Sequence, residues 1–336
     1  MRRSLAVLVL LLLLPFGYYF WENPERESLG ADDRAEGTGS YVALSGGTTR
    51  YDVAGPDTGR VAVLVHGFSV PAYIWDSTYH ALAASGYRVI RYDLFGRGLS
   101  DRPDAAYDGT FYDAQLGELL DSLKIEGPVD LFGLSFGGFV AAHYAASHPE
   151  RVRSLVLVDP MTAGEPVTGL LATRVIGRIL WQVMAVPTMA DNQASDFLHP
   201  EQFPDWAERY RPQMRYRGFG RALYRSRHEV GYADFPGMYA KIAQWGTPVL
   251  LVWGKQDQTL PIALAEKLTS AIPGAEFFPV DSAGHLPHME QAPLVNARIL
   301  AFLAAHPVEQ LVEQLVEQPV EQPVARPATT AAPRVR

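Results

Sequence analysis

The chain has 336 residues, 48% hydrophobic and 20% charged, enough for one large α/β domain or a core domain carrying an insertion. Its 37 acidic residues against 29 basic ones leave a net charge of −8, and no Lys/Arg-rich run is present to neutralise phosphates, which argues against a nucleic-acid partner. With no cysteine, disulfides, Cys-ligated metals, thiol nucleophiles and an acylated lipoprotein cysteine are all excluded.

At the N-terminus, Arg2 and Arg3 precede an apolar run from Leu5 to Phe16, and Tyr18, Tyr19, Phe20 and Trp21 follow as an aromatic belt. Residues 1–21 therefore read as an N-terminal signal-anchor or signal peptide; the absence of a clear small-residue cleavage site favours the anchor. The arginines would hold the start in the cytoplasm. The rest of the chain is then expected to be extracytoplasmic on a membrane anchor, or secreted if the segment is cleaved. Residues 22–39 are polar, charged and Gly-containing, which suggests a tether.

The folded part begins with "YVALSGGTTRYDVAG", which alternates around Gly46-Gly47 as a hairpin. Short apolar runs ending in Gly, Asp, Ser or Pro follow: Arg60 to Gly67, Tyr87 to Asp93, Val129 to Ser135 and Ser154 to Pro160. Helix-compatible stretches lie between them, near Trp75 to Ser85, Tyr112 to Leu123 and Phe136 to Ser147. Near-continuous apolar strands alternating with helices predict a parallel sheet covered on both faces. From Met161 to about Gln244 no strand is evident; the rhythm resumes at Thr247 to Gly254, a helix near Ile262 to Ala271, Glu276 to Val280 and a last helix from about Glu290 to Ala304. The expected organisation is a core of residues 40–160 and 245–306, a helical cap over 161–244 at the strands' C-terminal edge, and a disordered low-complexity tail of "VEQ" repeats over 307–336.

"GLSFGG", Gly133 to Gly138, stands where a strand runs into a helix. A serine at such a junction, with small residues two positions either side, adopts a strained conformation that lifts its hydroxyl above the sheet. The N–H of Phe136, opening the helix, would face a developing oxyanion. Ser135 needs a base: "DSAGHLPHMEQ" offers His285 in the loop between the last strand and last helix, and "VLLVWGKQDQTLP" offers Asp257 as the carboxylate that orients it. A second N–H donor is expected from Phe68, after the "VLVHG" strand.

These segments, with "YDLFGRGLSDRP" (Tyr92 to Pro103), resemble the α/β-hydrolase family over about residues 40 to 306 in both order and spacing. The resemblance implies an α/β-hydrolase fold, with a mostly parallel eight-stranded sheet, helices on both faces and an inserted helical cap. It also implies Ser135 as nucleophile, Asp257 as acid, His285 as base and Phe68 with Phe136 as oxyanion-hole donors. The loop from Asp93 would be structural. Asp159 occupies a position where some relatives carry their acid, and is the alternative to Asp257. His66 is expected to fix its loop by hydrogen bonds; His288 is expected to pack near the last helix and His143 and His148 to be structural, while His80, His199, His228 and His306 lack any motif context.

No metal-ligand spacing or phosphate-binding glycine motif is present, so no cofactor and no metal are expected. The predicted activity is serine hydrolysis of a small-molecule carboxylic ester. The apolar run Leu170 to Val186 either walls an acyl-chain pocket or packs on the core, and with the N-terminal anchor the former points to an apolar or lipid-derived monoester. The same three residues would serve carbon–carbon bond hydrolysis or cofactor-free haloperoxidase chemistry, and the fold also includes non-catalytic binding modules. Ser135 argues against the Asp-nucleophile dehalogenases and epoxide hydrolases of this fold.

Overall fold

In a computed structural model of the chain, which describes residue 17 and residues 23–173 and 175–307, the apolar runs form one eight-stranded sheet. The strands are β1 (Ser40–Leu44), β2 (Gly47–Ala54), β3 (Val61–Val65), β4 (Arg88–Tyr92), β5 (Val129–Leu134), β6 (Val152–Val158), β7 (Val249–Gly254) and β8 (Glu276–Val280), in the order β1-β2-β4-β3-β5-β6-β7-β8. The hairpin β1–β2 is antiparallel and joins β4 antiparallel; every pairing from β4 to β8 is parallel. The helices are α1 (Ala31–Glu36), α2 (Asp76–Ala84), α3 (Gly109–Ser122), α4 (Phe136–Ser147), α5 (Ile176–Met184), α6 (Met189–Asn192), α7 (Trp206–Tyr210), α8 (Phe219–Val230), α9 (Phe235–Trp245), α10 (Ala265–Ala271), α11 (Pro287–Glu290) and α12 (Ala292–Ala305).

Period-two geometry divides each central strand between two cores. Val63, Leu131, Leu155 and Leu251 face one side with residues of α3, α4 and α9, whereas Leu64, Phe132, Val156 and Leu250 face the other with residues of α2 and α12. Burial on both faces is why these strands read as unbroken apolar runs. Each such Val, Leu or Phe side chain contributes roughly 1.5–3 kcal/mol on leaving water.

Three findings differ from the sequence expectation. Helix α3 starts at Gly109 rather than near Tyr112, because the Asp108 carboxylate caps it by accepting the Phe111 N–H at 2.8 Å. The cap boundary at 244 moves: α9 lies on the sheet side, with Phe235, Met238, Tyr239 and Ile242 buried in the α4 core and the Phe235 ring 5.3 Å from Phe139. The expected tether is seated on the protein. Glu25 accepts the Gly218 and Gly220 N–H groups at 2.6 and 2.8 Å, and Glu27 exchanges backbone hydrogen bonds with Arg215 and Arg217. The anchor or signal segment 1–21, save Gly17, and the tail from Val308 lie outside the described residues. Among the described residues no helix is long and apolar enough to cross a membrane.

At the N-terminal end of the sheet, Asp130 is fully buried and accepts from both arms of Arg60 at 2.5 and 2.6 Å, from Ser154 at 2.7 Å and from Arg153 at 3.3 Å. Such a group is costly to break because the surviving charges keep their desolvation penalty. Asp130→Ala is expected to lower unfolding stability by about 3–5 kcal/mol in urea titrations, with the far-ultraviolet spectrum of the surviving folded fraction unchanged.

Candidate active site

Ser135 sits between β5 and α4 with φ 52° and ψ −116°, in the left-handed region that side chains normally avoid. Its N–H donates to the Val158 carbonyl at 3.0 Å, and its own carbonyl accepts from Gly138 at 2.9 Å and Met161 at 3.2 Å, so the strained residue is fixed on both sides. The flanking glycines are steric necessities. A Cβ on Gly133 would meet the Gly137 carbonyl oxygen at 2.4 Å, and one on Gly137 would meet the His66 and Val65 carbonyl oxygens at 2.3 and 2.4 Å. Strand, helix and the neighbouring end of β3 thus close on one another only because these side chains are absent.

The next three strands bring one polar side chain each to the same edge. Asp159 follows β6, Asp257 follows β7 and His285 follows β8. His285 Nδ1 is 2.7 Å from Asp257 Oδ2, and Asp257 Oδ1 accepts the Thr259 and Leu260 N–H groups at 2.8 and 2.9 Å. With Asp257 acting as acceptor throughout, the ring proton lies on Nδ1 and Nε2 is left as the basic nitrogen. Burial opposes the charged imidazole, but the hydrogen bond to Asp257 and the negative charges of Asp257 and Asp196 outweigh it, and the His285 pKa stands above the ordinary histidine value.

A cavity of about 470 Å³ opens over the serine, lined by Ser135, Phe68 and Phe136 from the core, Trp181 from α5 and Val230 from α8. The turn that holds Asp257 borders it through Thr259 and Leu260. The sequence-derived residues therefore fall into two connected groups: Ser135, Phe68 and Phe136 on the cavity, and Asp257 with His285 in direct contact. Among the described residues no hydrogen bond joins Ser135 to His285. Phe136, as the first residue of α4, has no intrahelical acceptor for its N–H. The Phe68 N–H likewise finds no acceptor among the described residues.

Of the two candidate acids, Asp257 is the one bonded to histidine. Asp159 is fully buried at φ 41°, accepts the Gly254 N–H at 2.9 Å through Oδ1, and leaves Oδ2 without a partner. Burial, then the charge of Asp257, raises its pKa well above the ordinary aspartate value. Asp159, Asp257 and His285 hold potential ligand atoms within 4.8 Å of one another. That cluster is already used internally, since a metal on His285 Nδ1 would displace the bond to Asp257.

His66 behaves as a loop anchor. Its Nε2 accepts the Leu94 N–H at 2.9 Å, its Nδ1 is 2.9 Å from the Gly67 carbonyl, and burial lowers its pKa to about 3. His288 is fully buried against Trp75, with ring centroids 4.6 Å apart, and its Nε2 is 3.1 Å from the Ile74 carbonyl. His143 and His148 both pair with Asp113.

Sequence reasoning missed three supporting residues. Arg97, fully buried with no carboxylate partner among the described residues, donates to the Phe68 carbonyl at 2.8 Å, the Phe95 carbonyl at 3.0 Å, the Tyr112 hydroxyl at 2.5 Å and Ser226 Oγ at 3.0 Å. It fixes the Phe68 loop from behind. Asp196, in the helical insertion, accepts the His285 N–H at 2.8 Å on its carbonyl. Glu290 accepts from Gly284, Leu198 and His199, tying the histidine loop to the same insertion. Arg97 and Glu290 lay within quoted motifs, but their partners Ser226, Leu198 and His199, like the partner of Asp196, stand far along the chain.

Because the folded pKa of Asp159 is raised, the folded chain holds that proton more tightly than the unfolded one, and the associated stability is present in acid and lost as pH rises. Asp159→Asn keeps the shape and the acceptor for Gly254 without needing the proton. The variant is expected to melt at a higher temperature than the parent at pH 8, with the difference disappearing near pH 4, as read by thermal denaturation across pH.

The chain is similar to known proteins over most of its length. The family described as alpha/beta hydrolase fold matches residues 61–292. The chain is 31% identical over 278 residues to the dihydrolipoyllysine-residue acetyltransferase component of the acetoin cleaving system of Pseudomonas putida, covering 82% of this chain and 72% of that one. It is 29% identical over 283 residues to the 2-hydroxy-6-oxononadienedioate/2-hydroxy-6-oxononatrienedioate hydrolase of Paraburkholderia phymatum, covering 79% and 96%. The solved enol-lactonase of Burkholderia xenovorans shares the fold with a TM-score of 0.68 at 23% identity, over 79% of this chain and all of that one. From its eight-stranded sheet, its serine at the junction of β5 and α4 and this family match over most of its length, the chain belongs to the alpha/beta hydrolase fold family.

Proposed function

We propose that the protein is a serine hydrolase cleaving carboxylic esters, with Ser135 as nucleophile, His285 as base, Asp257 as its orienting acid and the Phe68 and Phe136 N–H groups as oxyanion donors. The observation that carries this reading is the 2.7 Å contact between His285 and Asp257, at the same sheet edge as a strained serine that opens on a cavity. Ser135 Oγ attacks the ester carbonyl while its proton passes to His285 Nε2; the tetrahedral oxyanion is held by the two amides, each of which contributes about 3 kcal/mol in such sites. The alcohol leaves with the proton from His285. Water, deprotonated by the same nitrogen, then cleaves the acyl-enzyme and frees the acid. The walls of Phe68, Phe136, Trp181, Val230 and Leu264 favour an apolar acyl or alkyl group.

A second reading, hydrolysis of a carbon–carbon bond in a dienedioate-type ketone, is supported by the likeness to the Paraburkholderia hydrolase. It uses the same residues on a ketone carbonyl, with a carbanion in place of the alkoxide as leaving group. Turnover of p-nitrophenyl esters of rising chain length, set against loss of the absorbance of a dienedioate ketone, separates the two.

Ser135→Ala is expected to abolish labelling by a fluorophosphonate probe and to lower kcat by roughly 10,000-fold or more. Asp257→Asn is expected to cost about 10,000-fold in kcat by losing the tautomer that leaves Nε2 basic. Because the His285 pKa is raised, kcat/KM is expected to fall on the acid side with a midpoint above about 6.5, the ordinary histidine value. A wild-type protein silent toward the probe, or a Ser135→Ala variant still labelled, counts against the assignment.

A further inference from the structure

Strands β6, β7 and β8 deliver Asp159, Asp257 and His285 to one edge of the sheet, and of the two carboxyl groups only Asp257 is bonded to the histidine. Asp159 is fully buried at φ 41°, and its own N–H is used on the Val252 carbonyl at 2.9 Å. Its Oδ1 accepts the Gly254 N–H at 2.9 Å, while the buried Oδ2 receives no donor among the described residues. No lysine or arginine ion-pairs with it there. An ionised aspartate in this position would be a desolvated charge with a single hydrogen bond, set beside a second carboxylate.

Asp257 is placed to use the proton that Asp159 needs. An oxygen of each carboxyl group and a ring nitrogen of His285 lie within 4.8 Å of one another. An ionised carboxylate offers about four lone-pair sites. Asp257 fills three, with the Thr259 and Leu260 N–H groups on Oδ1 and His285 Nδ1 on Oδ2. One acceptor site on Asp257 and one bare oxygen on Asp159 remain, and a single proton satisfies both. The further charges in reach are negative, Glu290 acting on Asp159 and Asp196 on both His285 and Asp257, so neither of them holds Asp159 ionised.

We propose that Asp159 carries a proton on Oδ2 and donates it to Asp257, which makes it a positioning residue: the carboxyl of one strand end holds the carboxylate of the next, and that carboxylate holds His285 Nδ1. This role in catalysis rests on the serine-hydrolase reading of the site. No proton leaves Asp159 during turnover. The terminal torsion of an aspartate is soft, and a fourth hydrogen bond keeps Asp257 Oδ2 aimed at the histidine. The donated proton also draws on the Asp257 charge, which moderates the basicity that Asp257 imparts to His285.

Asp159→Asn keeps an acceptor for Gly254 and an N–H donor for Asp257, whereas Asp159→Ala keeps neither. The infrared difference between parent and Asp159→Asn at neutral pH is expected to show the carbonyl stretch of a protonated carboxylic acid, sensitive to deuterium oxide; the other carboxyl groups are common to both proteins and cancel. Made in an Asp257→Asn background, the same comparison is expected to show the stretch at higher wavenumber, because the proton has lost its charged acceptor. Absence of the stretch, or an identical position in both backgrounds, overturns the proposal. The rate of Ser135 modification by a fluorophosphonate is expected to fall roughly 10- to 100-fold in Asp159→Ala, as when a hydrogen-bond partner behind a functional histidine is removed. It is expected to return to within a few-fold of the parent in Asp159→Asn, with the acid-side midpoint unmoved. A full rate in Asp159→Ala overturns the proposal; so does an acid-side midpoint lowered in Asp159→Asn, which would show that a negative charge had been lost. The infrared arm needs neither catalysis nor the alanine variant. A parent protein silent toward the probe therefore sinks the hydrolase reading, while the stretch still decides where the proton sits.

Discussion

The backbone of Ser135 is the constraint on which the rest depends. A non-glycine residue at φ 52° is unfavourable by itself and persists only where its surroundings over-determine it. Here the surroundings are the Val158 carbonyl below, Gly138 and Met161 above, and the space left by Gly133 and Gly137. Without that close approach α4 would stand away from β5 and β3, and neither the hydroxyl nor the first amide of the helix would reach the cavity. Strain at one residue is thereby exchanged for a fixed direction of the Ser135 side chain at the cavity.

The remaining parts are arranged by depth from the cavity. Asp257 and His285 come from adjacent strand ends and hold each other; Asp159, fully buried, occupies the neighbouring strand end, where burial disfavours its charged form. Behind the Phe68 loop, Arg97 is a desolvated cation that bonds only to carbonyl and hydroxyl oxygens, and its guanidinium lies 5.6 Å from the Phe68 ring and 5.5 Å from that of Phe136. The insertion is coupled to the same machinery from above through Asp196, Glu290 and Ser226, so the cavity walls and the histidine loop are one connected structure.

Much of this was legible because the physics is local or periodic. Buried parallel strands must be apolar throughout, so Val61–Val65, Val152–Val158 and Val249–Gly254 announce themselves, and the glycines around Ser135 mark a junction no larger residue would permit. What escaped reading depends on partners far along the chain. Glu25 is an ordinary surface carboxylate until Gly218 and Gly220 present their amides to it, and residues 22–39 look like a tether for that reason. Phe235 to Ile242 has a clear helical spacing, but spacing does not say whether a helix lies over the sheet edge or on its face. Asp196 meets the histidine loop through a backbone carbonyl, a contact that leaves no trace in residue type.

The central claim, that the hydroxyl at the β5–α4 junction becomes covalently acylated, is tested most directly by mixing the full-length protein with a slowly deacylating p-nitrophenyl ester, quenching in acid within the first turnover and mapping the proteolytic peptides by mass. The account expects the acyl mass increment on the peptide holding Ser135, with a stoichiometry matching the burst of p-nitrophenol. Continued turnover with no increment at Ser135, or an increment at another residue, would contradict it.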